Sequence, residues 1–199
     1  MGRYNGVNHL AMATADIDKT IFFWRDLLEM PLVVGIADPG FQIYFFEISP
    51  TDMIGFFHWP QVRPLPEKDH GLPVEGPFAF DHLAIGLNER DDLWLLKDRL
   101  EAAGFWVSEV MDLGFIESVY SFDPNGVAIE FCWPKPGVDP RRAPTLVGRA
   151  PAAAALEGPL PQPGRWPAPP APTPPQQRRS YPGEGRDLAD QSKNLWRGK

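Results

Sequence analysis

Apolar and polar residues change rhythm along the first 134 positions, and the second half of that stretch copies the first. A short apolar strand opens each round, Val7-Asn8-His9-Leu10-Ala11-Met12 and then Phe80-Asp81-His82-Leu83-Ala84-Ile85. Each is followed by a stretch whose apolar residues recur at helical spacing: Ile21, Trp24 and Leu28 in the first, Leu93, Leu96 and Leu100 in the second. That spacing predicts a helix with one buried face. Asp16 is placed to cap the first helix and Gly104 to stop the second. Three further strand-like runs complete each round. The last two are joined by Ser49-Pro50-Thr51-Asp52 in one round and Asp123-Pro124-Asn125-Gly126 in the other, both good turn sequences.

Self-similarity at fixed spacing means that one supersecondary unit occurs twice. The opening strands match at an offset of 73 residues (His9 to His82), and Gly55-Phe56-Phe57-His58-Trp59-Pro60 aligns with Ile129-Glu130-Phe131-Cys132-Trp133-Pro134 at 74 (Phe56 to Glu130). The expected fold is α+β: two βαβββ modules, residues 1–60 and 79–134, form a cupped eight-stranded mixed sheet with the helices outside it. Residues 61–78 link them. Composition changes after Trp133, since fifteen of the 24 prolines lie from Pro134 onward. Proline removes backbone donors and fixes φ, so residues 135–199 are expected to be an extended or disordered tail. Leu188, Leu195 and Trp196 give its end something apolar to dock.

Charge and composition exclude several classes. The formal net charge is −7 and the acids are dispersed among bases, so no basic stripe offers a nucleic acid a footprint. The apolar runs are too short to span a bilayer, and the polar opening residues do not resemble a targeting peptide. A cytoplasmic protein is expected. The single cysteine, Cys132, excludes an intramolecular disulfide and a multi-cysteine metal cluster.

His82 and Glu130 both sit mid-strand among apolar residues, where an unpaired carboxylate is costly to bury. Taken singly, each has a plain structural use: Glu130 on the wet side of a half-buried strand, either histidine as a satisfied core residue. The repeat changes this reading. His9 and His82 occupy equivalent strands, so pseudo-symmetry is expected to set them side by side where the modules meet. With Glu130 they form a 2-His-1-carboxylate set, which leaves metal positions open. Neutral imidazole and ionised carboxylate are both available at pH 7.

These residues resemble the vicinal oxygen chelate superfamily, which includes glyoxalase I, bleomycin-resistance proteins, methylmalonyl-CoA epimerase and the type I extradiol dioxygenases. The resemblance covers residues 5–134. It implies ligands from the first and last strands of each module, carried here onto His9, Phe56, His82 and Glu130. Phenylalanine cannot ligate, which leaves the three-ligand pattern of the dioxygenases in place of the four-ligand pattern of glyoxalase. The run from Val119 to Glu130 is similar to the extradiol signature of a tyrosine, two residues, Asp-Pro-x-Gly and then the ligand glutamate. By that resemblance Tyr120 hydrogen-bonds the substrate hydroxyl or a developing oxyanion, and Phe46 stands at its place in the first module. The signature's earlier histidine is replaced by Leu113. His58 shares strand parity with Phe56 and is expected to face the cup as a substitute acid or base. His70, beside Asp69 in a Pro-rich loop, is expected to be a solvated surface residue.

The implied function is ring cleavage of a catechol- or hydroquinone-like aromatic by dioxygen, with Fe(II) or next Mn(II), in a homodimer. Many strand positions are aromatic and no Gly-rich phosphate loop is present, which suits a flat substrate. Two alternatives stay open: an isomerase or lyase of the glyoxalase or epimerase kind using zinc or nickel, and a non-enzymatic, bleomycin-resistance-like binder of aromatic compounds. Fold alone does not choose among them. Truncation after Gly137 is expected to leave metal binding intact and to weaken a dimer. Light scattering with metal analysis checks both, and loss of metal would place the tail in the cup.

Overall fold

Strand polarity repeats between the two halves of the chain. In the computed structural model, β1 (His9–Thr14), β2 (Leu32–Asp38), β3 (Phe41–Ser49) and β4 (Asp52–His58) form one sheet in the order β1-β4-β3-β2. A second sheet contains β5 (Leu83–Gly86), β6 (Met111–Asp112), β7 (Ile116–Phe122) and β8 (Ala128–Pro134) in the order β5-β8-β7-β6. β1 runs parallel to β4 and β5 to β8, while the other pairs are antiparallel. The α+β fold of two βαβββ modules is thus as expected, with the eight strands in two four-stranded sheets. The structure describes residues 7–68, 71–73, 80–140, 142–147, 149, 153–161 and 171–197, so His70 lies outside the described residues.

The helices form where their caps predict. Asp16 accepts a hydrogen bond from Lys19 N at 3.1 Å and starts α1 (Ile17–Ile21), which widens into a π-helical stretch over Phe22–Leu27. α2 (Asp92–Ala102) ends before Gly104, whose φ of +84° suits a residue without a Cβ. Arg99 of α2 donates to Leu27 O at 3.2 Å and pairs with Glu29 at 2.9 Å. A cation from one module therefore satisfies the carbonyl end of the other module's helix.

Strand alternation sends one face of each sheet into a common core. Met12, Phe46, Ile54 and Phe56 of the first sheet share that core with Ile85, Val119, Ile129 and Phe131 of the second, around Trp24, Leu93 and Leu100. The helices thus lie against the inner faces, and each sheet turns its other face away from the shared core.

The Asp-Pro-Asn-Gly turn does more than reverse the chain. Asp123, 3% exposed, accepts from the backbone N of Asn125 and Val127 and from Asn125 Nδ2, all at 2.8–2.9 Å. It also accepts from the buried indole Nε1 of Trp24 at 3.2 Å. Asn125 Nδ2 reaches Thr20 Oγ1 at 3.2 Å, and Asn125 O accepts from Leu65 N at 2.7 Å. The hairpin of the second module is therefore bonded to the helix of the first and to the linker. Burial pushes the Asp123 carboxyl upward, while its donors pull it back.

The pairing register corrects the internal alignment. Phe45 faces Gly55 and Ile43 faces Phe57 in the first sheet; Tyr120 faces Glu130 and Ser118 faces Cys132 in the second. The counterpart of Glu130 is therefore Gly55, not Phe56, and that of Tyr120 is Phe45, not Phe46. Side chains alternate with period two, so a slip of one residue assigns a position to the wrong face. Phe56 points into the core, fully buried, with its ring 5.6 Å from that of Trp24.

The chain divides into compact units at Met1–Ala143 and Pro144–Lys199. In the second unit, the described residues form short 3-10 turns at Ala153–Glu157, Pro175–Gln177, Glu184–Ala189 and Gln191–Lys193. Pro174, at φ −57° and ψ 143°, is in the polyproline range. No helix among the described residues is long and apolar enough to cross a membrane.

Two substitutions test the clamp. Gly126 has φ +75°, and an added Cβ would lie 2.0 Å from Leu65 O. Gly126→Ala is expected to cost about 2 kcal/mol or more, and Trp24→Phe about 1–3 kcal/mol through the lost Asp123 bond. Urea unfolding measures both; wild-type midpoints would show that the turn is not the joint.

Candidate metal centre

On the outward face of the second sheet, β5, β7 and β8 bring His82, Tyr120 and Glu130 together. Glu130 is 4% exposed. Its Oε1 accepts hydrogen bonds from the Tyr120 hydroxyl at 3.0 Å and from the Ser118 hydroxyl, and its Oε2 lies 2.9 Å from His82 Nε2. The other ring nitrogen, Nδ1, lies 2.6 Å from Asp81 Oδ1. A bond to Nδ1 fixes the ring and directs Nε2 into the site, the usual support behind a metal-binding histidine. The ring thus lies between two carboxyl groups, and a neutral imidazole carries only one N–H, so one of the two contacts needs a further cation, a proton or a metal, to be favourable.

The surrounding groups are tuned by the same neighbours. Burial, with the Glu130 charge adding to it, raises the Tyr120 phenol well above its ordinary value, so it stays protonated and donates its hydrogen bond to Glu130. Burial and Glu130 likewise push the Cys132 thiol up to about 11. The His82 ring holds Asp81 well below the usual carboxylate range, assisted by Lys68 and the backbone N of Gly71.

The first sheet carries the pseudo-symmetric half. His9 Nδ1 lies 2.8 Å from Asn8 Oδ1, as His82 lies beside Asp81. The His9 ring meets Phe45 edge-on, with centroids 5.1 Å apart, where His82 meets Tyr120 edge-on at 6.0 Å. His9 itself is exposed. Within one chain it does not join His82 and Glu130: among the described residues no group of three or more His, Cys, Asp and Glu side chains is placed to hold a metal ion. The expectation that the two histidines stand side by side where the modules of one chain meet is corrected accordingly. The shared core lies behind both outward faces, which separates them.

His58 also departs from its expected role. It lies at the end of β4 opposite Thr14, on the core-facing side, and its ring contacts Gln42 Oε1 at 2.9 Å and Ala15 O at 3.2 Å. It shares parity with Phe56, and Phe56 faces inward. Leu113 is exposed in the turn before β7. Sequence reasoning passed over Ser118 and Asp81. Ser118 stands two residues before Tyr120 on one strand, and so on the same face; Asp81 is the immediate neighbour of His82.

Paired βαβββ modules, with a histidine in the first strand of one (His9) and just before the first strand of the other (His82), define the class of fold. The chain belongs to the Glyoxalase/Bleomycin resistance protein/Dioxygenase superfamily, whose family model matches residues 6–131. Among solved structures, it is similar to a glyoxylase/bleomycin resistance protein/dioxygenase domain from Frankia sp. EAN1pec. There the TM-score is 0.56 and the identity 19%, over 68% of this chain and 96% of that one. A glyoxalase/dioxygenase from Nostoc punctiforme matches with TM-score 0.53 and 18% identity, covering 67% and 94%. The fosfomycin resistance protein FosX of Listeria monocytogenes, solved with Mn(II) and sulfate, matches with TM-score 0.50 and 15% identity, covering 67% and 95%. At these identities the likeness is one of fold.

The geometry makes the two histidines unequal in metal-free protein. His82→Ala would leave the buried Glu130 carboxylate short of a partner, at an expected cost of about 1–3 kcal/mol. His9→Ala, at an exposed site, should stay within about 0.5 kcal/mol of wild type. Denaturant unfolding of chelator-treated protein compares them, and equal losses would contradict the described site.

Proposed function

We propose that the chain is a divalent-metal-dependent dioxygenase that opens the ring of a catechol- or hydroquinone-like aromatic. The observation that carries this reading is the buried Glu130 carboxylate facing His82 Nε2, with the Tyr120 hydroxyl beside it. His82 and Glu130 supply two ligands, and the third is His9 of the partner subunit. Each chain turns one half-site outward on each sheet. A two-fold dimer that sets the first module of one copy against the second module of the other completes two equivalent centres. Fe(II), or next Mn(II), suits two imidazoles and one carboxylate with open positions.

A metal held there supplies Lewis acidity and a template for two substrate oxygens. The chain's own residues do the rest. Asp81 orients His82, while Ser118 and Tyr120 hold Glu130 in one rotamer. The Tyr120 hydroxyl, at the edge of the pair, can turn its hydrogen bond from Glu130 to a substrate oxygen as charge develops on that atom. The Phe45 ring on the first module offers a flat substrate an apolar wall. With Gly55 opposite Phe45, the first module contributes no carboxylate, which disfavours the four-ligand isomerase reading.

Purified protein is expected to hold about one metal per chain, lost in His9→Ala, His82→Ala and Glu130→Ala, by the facial-triad argument. Mixing His9→Ala with Glu130→Ala chains should restore about one metal per mixed dimer, because one of its two centres is intact. No recovery would refute the shared centre. Oxygen uptake with a panel of catechols, abolished by a chelator, tests the chemistry. Metal binding without uptake would leave an isomerase or a binding protein.

A further inference from the structure

The two half-sites share a backbone plan and differ in their chemistry, and that difference has a steric origin. Tyr120 stands opposite Glu130 across β7 and β8, and Phe45 stands opposite Gly55 across β3 and β4. Gly55 is buried, and a Cβ built on it would lie 2.7 Å from two atoms of the Phe45 ring. No side chain at residue 55 can coexist with the ring where it lies. A side chain at 55 would therefore force the Phe45 ring to move; the backbone there is ordinary strand, so conformational freedom is not what calls for glycine. The same ring meets His9 edge-on at 84°.

We propose that Phe45, lying over Gly55, closes the position from which a second carboxylate would ligate, and thereby holds the centre at three protein ligands. This rests on the metal reading given above. In the second module the space between tyrosine and glutamate is polar: a hydroxyl donates to a carboxylate. In the first module, hydrocarbon fills the equivalent volume beside His9. An anionic protein ligand cannot approach from that side, and a charged group placed there without a metal would lose solvation with no donor to compensate. The coordination positions near His9 are left to exogenous ligands, bordered by an aromatic ring that favours neutral or flat molecules over anions.

The test supplies the missing carboxylate in two ways. Phe45→Ala combined with Gly55→Glu removes the ring and installs the counterpart of Glu130. Phe45→Glu alone keeps Gly55 and sends a carboxylate into the space that the ring occupied. Metal affinity is read by calorimetry with Zn(II) and Ni(II), and the number of waters on bound Mn(II) by water-proton relaxation. Circular dichroism and light scattering confirm fold and assembly. At least one folded variant is expected to bind Zn(II) or Ni(II) on the order of tenfold tighter or more and to lose one water from bound Mn(II). Unchanged affinity and water count in every folded variant would overturn the proposal, provided that wild type binds metal and His82→Ala does not. If wild type itself binds no metal, or His82→Ala keeps it, the metal reading fails instead. Should both carboxylate variants fail to fold, Phe45→His decides, since it puts a neutral ligand of similar size where the ring lay: tighter Zn(II) or Ni(II) binding with one water fewer on Mn(II) supports the proposal, and unchanged affinity and count refute it.

Discussion

The hydrogen bond from the Trp24 indole to the Asp123 carboxylate sets how the two modules meet. Both partners are buried, and a buried acceptor left without donors is expensive. The indole of one helix is thus tied to the one hairpin whose carboxylate is already aimed by Asn125 and Val127. Arg99 makes the reciprocal contact, from the helix of the second module to the end of the first helix. With helices bonded to the opposite module on both sides, the inner faces of both sheets are committed to a shared core. The outward faces remain for chemistry.

That commitment explains why the two equivalent histidines of one chain stand on separate faces. His82 and Glu130 lie on one outward face and His9 on the other, with the core between. Glu130 is buried all the same, because Ser118 and Tyr120 on the neighbouring strand supply two hydroxyl donors and His82 supplies a ring nitrogen. A carboxylate so surrounded keeps its orientation without a metal. Such preorganisation lowers the reorganisation needed when a cation arrives.

Much of the fold was legible from local rules. The Asp16 cap, the helical spacing of Leu93 and Leu100, the Gly104 stop and the two hairpin turns each act within a few residues, and each reappears in the structure. His82 and Glu130 were legible as well, from strand position and residue type, and Tyr120 through the resemblance to the extradiol signature. Three features were not. The alignment of the last strands slipped by one, since the shared Trp-Pro ending suggested an offset of 74 where the ladder requires 75 (Gly55 to Glu130). With a period of two, that single step exchanged Phe56 for Gly55 and carried His58 to the site on a false parity. The Asp-Pro-Asn-Gly turn looked sufficient as a hairpin, and its bonds to Thr20 and Trp24 lie about a hundred residues away in sequence. The separation of His9 from His82 depends on how whole modules dock, which periodicity within a module does not report.

The repeat therefore confines the likeness of its two modules to one face. Its inner faces keep the same task, with apolar residues at equivalent strand positions feeding one core. Its outward faces have parted: the second module retains a tyrosine, a serine and a glutamate beside its histidine, whereas the first keeps its histidine under a phenylalanine ring. A symmetric pair would surround a cation with two carboxylates and two imidazoles and saturate most of its sphere. Here glycine stands where a symmetric module would carry the second carboxylate, and the Phe45 ring lies over it, so a cation held between two such modules would meet a polar wall on one side and an apolar wall on the other. A centre with one polar wall and one apolar wall distinguishes the two ends of a bound molecule, which a symmetric site cannot do.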